Sequence, residues 1–289
     1  MRYIAVLMLT VLMTAFTACE KDTNINAKND ITALKLNGKI KSIRETAYPA
    51  VVKNGKVFKE NRADADSITN FTNFNEKGFK YESGMLDSNG IPSRTTLFIY
   101  STNDRVIEEM TYMYYASNPE QVTTYKHDKH GNTVEEINYT TYSRQCSNKL
   151  VRTFDKKGNS IEENYYEPCD TKESYFVLKY DDRGNVIEKA SYSAEGMPDS
   201  NQEAVYDSNS NLIEKISHLQ DADVSGRTTY KYDDKGNCTE SIKYNFGGTV
   251  SSKTKYRYEF DSRGNWIKQI IYTNGTASEI KEREIKYYD

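Results

Sequence analysis

The chain has 289 residues, with 39 Lys+Arg against 42 Asp+Glu, a formal charge of −3 and 37% hydrophobic residues. So weak an acidic balance offers no electrostatic footprint for nucleic acid or for an anionic lipid surface, and excludes both as principal partners.

Residues 1–18 carry one early cation, Arg2, an apolar run over 3–16 and small residues before Cys19, which is the build of a secretory signal. The run is shorter than the roughly 20 apolar residues of a spanning helix and stops at Glu20-Lys21-Asp22. Phe16-Thr17-Ala18-Cys19 resembles the lipobox of bacterial lipoproteins. That resemblance implies lipidation of Cys19, cleavage before it, and the lipid bilayer as a partner through the acylated cysteine. With Glu20 following, it implies delivery to the outer membrane, facing the periplasm or the surface. Residues 19–33 are polar and unpatterned and read as a lipidated tether. Removing residues 1–18 leaves 38 cations against 42 carboxylates, a charge of −4, and residues 34–289 form one domain.

That domain is a repeat. An aromatic-Asp-x-x-Gly-Asn signature stands at Phe154–Asn159, Tyr180–Asn185, Tyr232–Asn237 and Phe260–Asn265, with degenerate copies led by Phe74, Tyr100, His127 and Tyr206. The spacing is 26 to 28 residues throughout, the mark of a repeat architecture. Asp can cap a turn with its carboxylate and Gly can take positive φ, so each signature predicts a hairpin turn. A strand follows each turn, with a tyrosine seven residues past the Asn slot at 112, 139, 166, 192, 244 and 272, and His218 in the remaining copy. The returning strands alternate, as in Tyr256-Arg257-Tyr258-Glu259-Phe260, which predicts one buried and one wetter face and a core laddered by aromatic and β-branched pairs. Two registers are open: a bulge that sets Tyr180 opposite Val186, or a longer loop that brings Ile187 to that face. Leu36–Ile43 reads as a first half-repeat, and Asn54-Gly55 as the turn of an extra hairpin.

Two strands per repeat give about 16 strands, a flat span of nearly 80 Å at about 4.8 Å each. Open twisted sheets curl or split beyond about 10 strands, so the expectation is an all-β fold, a large coiled antiparallel sheet forming a shell or open barrel. The copies, Tyr258–Ile267 most closely, resemble the YD (RHS-type) repeat family and its short bacterial lipoproteins over residues 34–289. The resemblance implies encapsulation or surface contact and no catalysis by the repeats. The chain ends inside a repeat at Asp289, so no toxin domain is expected and binding gains weight over encapsulation.

The search for chemistry is largely negative. No Gly-x-Ser-x-Gly elbow, His-Glu-x-x-His pair or phosphate-cradling loop is present. Glu108-Glu109, Glu135-Glu136 and Glu162-Glu163 recur at one repeat slot, where strand neighbours point to opposite faces and predict a solvated stripe. His127 and His130 with Asp128 could hold a metal, but imidazole can equally replace the signature ring; Asp221–Gly226 resembles half a calcium loop without its closing Glu. No metal or cofactor is therefore assigned. Cys146 and Cys169 fall opposite each other across one predicted hairpin and form a possible disulfide, while Cys238 occupies an aliphatic slot. Trp266, the only tryptophan, with Tyr256 and Tyr258 is the possible ligand-stacking set, although its slot is usually a core position. The reading is a non-enzymatic envelope lipoprotein that presents a repeat β-surface to a glycan, peptide or envelope protein. The alternatives are a purely structural envelope component, or a glycoside-processing enzyme whose carboxylates converge from different repeats.

Overall fold

A computed structural model describes residues 29–60, 68–114, 116–141, 145–219 and 225–289. The signal, Cys19, most of the tether and the Asp221–Asp223 stretch lie outside the described residues. One short helix, α1 (Asp30–Ala33), precedes 19 strands. They are β1 (Ile40–Lys53), β2 (Lys56–Lys59), β3 (Ile68–Phe74), β4 (Lys80–Leu86), β5 (Pro92–Tyr100), β6 (Val106–Met113), β7 (Gln121–His127), β8 (Thr133–Thr140), β9 (Gln145–Phe154) and β10 (Ser160–Tyr166). There follow β11 (Lys172–Tyr180), β12 (Val186–Ser193), β13 (Pro198–Tyr206), β14 (Leu212–Leu219), β15 (Gly226–Tyr232), β16 (Cys238–Tyr244), β17 (Val250–Phe260), β18 (Trp266–Thr273) and β19 (Thr276–Tyr287).

Every strand from β3 to β18 pairs antiparallel with its successor, and β1 pairs with both ends of that series: Arg44 faces Phe71 of β3 and Glu284 of β19. The sheet is thus a closed ring. The 19 strands less β2, which pairs only with the far end of β1 through the Asn54-Gly55 turn, leave 18 round the barrel. The expected open, coiled sheet is corrected on this point. Closure satisfies both edge strands, which an open sheet of this width would leave as unpaired rows of N–H and C=O groups.

The repeat signature explains the local structure. In the Asp181 turn, one carboxylate oxygen accepts from the backbone N–H of Arg183 (2.9 Å) and Asn185 (2.8 Å), and the other from the Asn185 side chain (2.8 Å). Asp155 is held in the same way, and the N–H of Asn159, its side chain and further turn N–H groups keep its carboxyl below the usual carboxylate range. The glycine slot is left-handed: Gly184 has φ +83°, and the degenerate copies put Ser210 (60°) and Asp104 (57°) in the same region. Of the two registers left open, the bulge is found. Tyr180 faces Val186, Ile187 is the extra residue, and Lys179 faces Glu188.

The signature aromatic also ties repeats together. The hydroxyls of the signature Tyr100, Tyr180 and Tyr232 donate to the carbonyls of Lys80, Ser160 and Leu212 at 2.7 Å, and Tyr258, two residues before the signature Phe260, donates to that of Cys238 at 2.8 Å. His127 keeps this role with Nε2 2.7 Å from the Val106 carbonyl. Rings also pair across strands, with Tyr175 stacked on Tyr192 at 4.9 Å between centroids and Tyr258 beside Trp266. The described apolar clusters sit at the turn end: Ile31, Ile40, Ile43 and Phe74 at the β1 seam, and Ala204 with Leu212.

Residues paired across antiparallel strands share a face, so the register sorts inside from outside. The outer wall carries a charge belt, with Lys126 on Glu135, Lys179 on Glu188 (2.8 Å) and Lys231 and Lys253 both on Glu240 (3.1 and 2.9 Å). Lys126, Lys179 and Lys231 are 71%, 62% and 72% exposed. The inner wall carries Lys189 and Gln269, 9% and 6% exposed.

Candidate functional site

The carboxylate pairs divide between the faces as strand geometry requires. Glu108, Glu135 and Glu162 face outward, while Glu109, Glu136 and Glu163 line the lumen in one repeat slot. The next two copies of that slot hold Lys189 and Lys215. Arg152 lies between two of the inner carboxylates, with Nη2 3.2 Å from Glu136 and Nε 3.4 Å from Glu163, and Lys189 reaches Glu163 at 3.3 Å while covering the Phe176 ring at 4.3 Å. Burial raises the Glu109 carboxyl above its ordinary range against the pull of Lys80, and burial followed by Glu109 raises Tyr125. Lys215 and Lys243 flank Thr228, and burial followed by Lys243 lowers the Lys215 ammonium.

This row has no catalytic geometry. A glycoside-cleaving pair must leave the sugar between its two carboxylates, and here Arg152 fills the space between Glu136 and Glu163. Among the described residues no group of three His, Cys, Asp or Glu could hold a metal ion. Both ring nitrogens of His127 are engaged, Nε2 by Val106 and Nδ1 by the Thr133 hydroxyl at 3.2 Å. The described residues form a closed antiparallel β-barrel with an even number of strands round its axis.

A cavity of about 390 Å³ opens from the inner wall where β17, β18 and β19 meet β1 and β3. Trp266 and Tyr258 line it, 6.2 Å apart between ring centroids, whereas Tyr256 stands outside it with its hydroxyl 3.4 Å from that of Ser241. Arg283 stacks on Trp266 with Cζ 3.4 Å from the ring centroid and donates through Nε to Glu45 at 2.7 Å. Gln269 donates to the Tyr258 hydroxyl at 2.9 Å. Leu34, Leu36, Ile43 and Phe74 close the apolar side. Sequence reasoning singled out Trp266 and Tyr258 but missed Glu45, Lys281 and Arg283, which stand on strands outside the repeat signature. The only sequence signal for them is the alternation Glu279-Ile280-Lys281-Glu282-Arg283-Glu284.

Cys146 on β9 and Cys169 after β10 are joined as a disulfide with Cα atoms 5.8 Å apart, and Cys238 is buried. Among the described residues no helix is long and apolar enough to cross a membrane, which says nothing of strands.

No family model matches the sequence, and no curated protein matches it. Similar solved structures include a porin-like protein of Bacteroides uniformis, 11% identical over 86% of this chain and 98% of that one, with a TM-score of 0.45. The Tc holotoxin pore of Photorhabdus luminescens is 10% identical over 78% of this chain and 15% of that one (TM-score 0.34). A LolA superfamily protein of Nitrosomonas europaea is 8% identical over 95% and 94% (TM-score 0.28). The comparisons support neither the YD (RHS-type) repeat label nor a lipoprotein label, and the repeat-family resemblance is corrected by closure: the tandem hairpins build a closed 18-strand barrel.

Proposed function

We propose that this chain is a structural component of the cell envelope, a barrel surrounded by water and held beside the outer membrane by an acyl group on Cys19. The outer charge belt carries this reading. A lipid-facing barrel wall is an apolar band about 25 Å tall, where each midplane Lys or Arg costs roughly 2–4 kcal/mol. Here Lys126, Lys179, Lys231 and Lys253 stand on that wall with their Glu partners, repeat after repeat. The signal-like residues 1–18 and Cys19 support export and anchoring. A glycan-stacking surface has less support, because Trp266 faces the lumen and Arg283 covers one face of its ring.

Fractionation of a host expressing the full chain tests this. The native protein is expected in carbonate-washed membranes and the Cys19→Ser variant, still folded, in the soluble fraction. Retention of folded Cys19→Ser in washed membranes would place the strands themselves in lipid, and a soluble native protein would remove the anchor.

A further inference from the structure

We propose that the cavity beside Trp266 binds a small amphipathic monoanion, a carboxylate on an apolar body, and that its occupant braces the seam where the barrel closes. About 390 Å³ falls in the range of small-molecule sites, which pair apolar walls with a few placed polar groups. Its apolar lining includes Leu34 and Leu36, and its other lining residues include Trp266, Lys281 and Arg283. The charged groups lining it are two cations and one carboxylate, Glu45, so one positive charge is in excess.

The two cations are not equivalent. Arg283 is committed to Glu45 at 2.7 Å and to the Trp266 ring. The Lys281 ammonium stands 3.9 Å from both Glu45 and Glu279, beyond hydrogen-bond length, and keeps donors for a ligand carboxylate. Glu279 itself does not line the cavity. The apolar body would then lie against Leu34 and Leu36, which pack on the cluster that holds β1 in the ring. Binding therefore favours the closed barrel.

Trp266 is the sole tryptophan and reports on its own cavity. The full chain is titrated with decanoate while its emission is followed, with decanol as the uncharged arm and circular dichroism as the check on folding. Decanoate is expected to give a saturable emission change and to raise Tm, with decanol at least about ten-fold weaker. Lys281→Gln weakens decanoate about ten-fold, as loss of one charge-assisted hydrogen bond does, and leaves decanol unchanged. Thr72→Phe, which fills the cavity from β3, abolishes both. The proposal is overturned by the absence of a saturable change below about 1 mM, by equal affinity for decanol, or by folded Thr72→Phe or Lys281→Gln that bind decanoate as the native chain does.

Discussion

Phe74→Ala is expected to cost about 3–5 kcal/mol of stability, the largest effect of any single truncation in this barrel. Phe74 and Ile40 are 0% exposed, and with Ile31 and Ile43 they form the cluster against which Leu34, Leu36 and Ile285 pack. Phe74 ends β3, Ile40 begins β1 and Ile285 lies on β19, so the cluster packs together the three strands that must meet for closure. The Tyr288 hydroxyl adds a bond to the Phe74 carbonyl at 2.7 Å. Urea unfolding followed by circular dichroism measures the loss. A cost below about 1 kcal/mol, as at an ordinary surface position, would mean that the seam is not packed around Phe74.

Arg152→Met is expected to destabilise by about 2–4 kcal/mol, somewhat below the range for breaking a fully buried pair because Arg152, Glu136 and Glu163 keep some exposure. Methionine fills much of the volume, so the loss is electrostatic: two lumenal carboxylates are left facing each other across the space the guanidinium held. A second substitution identifies the cause. With Glu136→Gln added, one of the two facing charges is gone and the gap to the native chain should narrow. Glu109 gives both proteins a pH trend of its own. Its folded carboxyl is raised by burial, so its contribution to stability is present below the unfolded pKa and is lost as pH rises through the folded value. Chemical denaturation of the single and double variants checks the prediction, and a gap that Glu136→Gln leaves unchanged would point to lost packing instead.

Local features of this fold are written locally. The carboxylates of Asp155, Asp181, Asp207 and Asp233 each bond to their own turn within four residues, so the turns and their spacing can be read from sequence. Closure is different. It depends on Arg44 meeting Glu284, 240 positions away, and on β1 lacking the signature, so no periodic pattern announces it. The same limit misled the family resemblance, since a hairpin motif specifies the repeating unit and says nothing of how the sheet ends. The glutamate pairs were half legible. Strand alternation separates Glu135 from Glu136, but the inner member becomes meaningful only when Arg152, 16 residues on, is seen beside it. The cavity was least legible, because Glu45, Lys281 and Arg283 meet Trp266 only once the ring has closed.

Closure at β1 is tested most directly by a cross-link. Arg44 and Glu284 face each other across β1 and β19, on the outer wall. With both replaced by cysteine, mild oxidation of the dilute protein should join the peptides holding positions 44 and 284 within one chain, as read by mass spectrometry of the digested monomer. A closed ring predicts that bond in nearly every folded molecule; its absence from monomer, or its appearance only between two chains, would contradict the barrel.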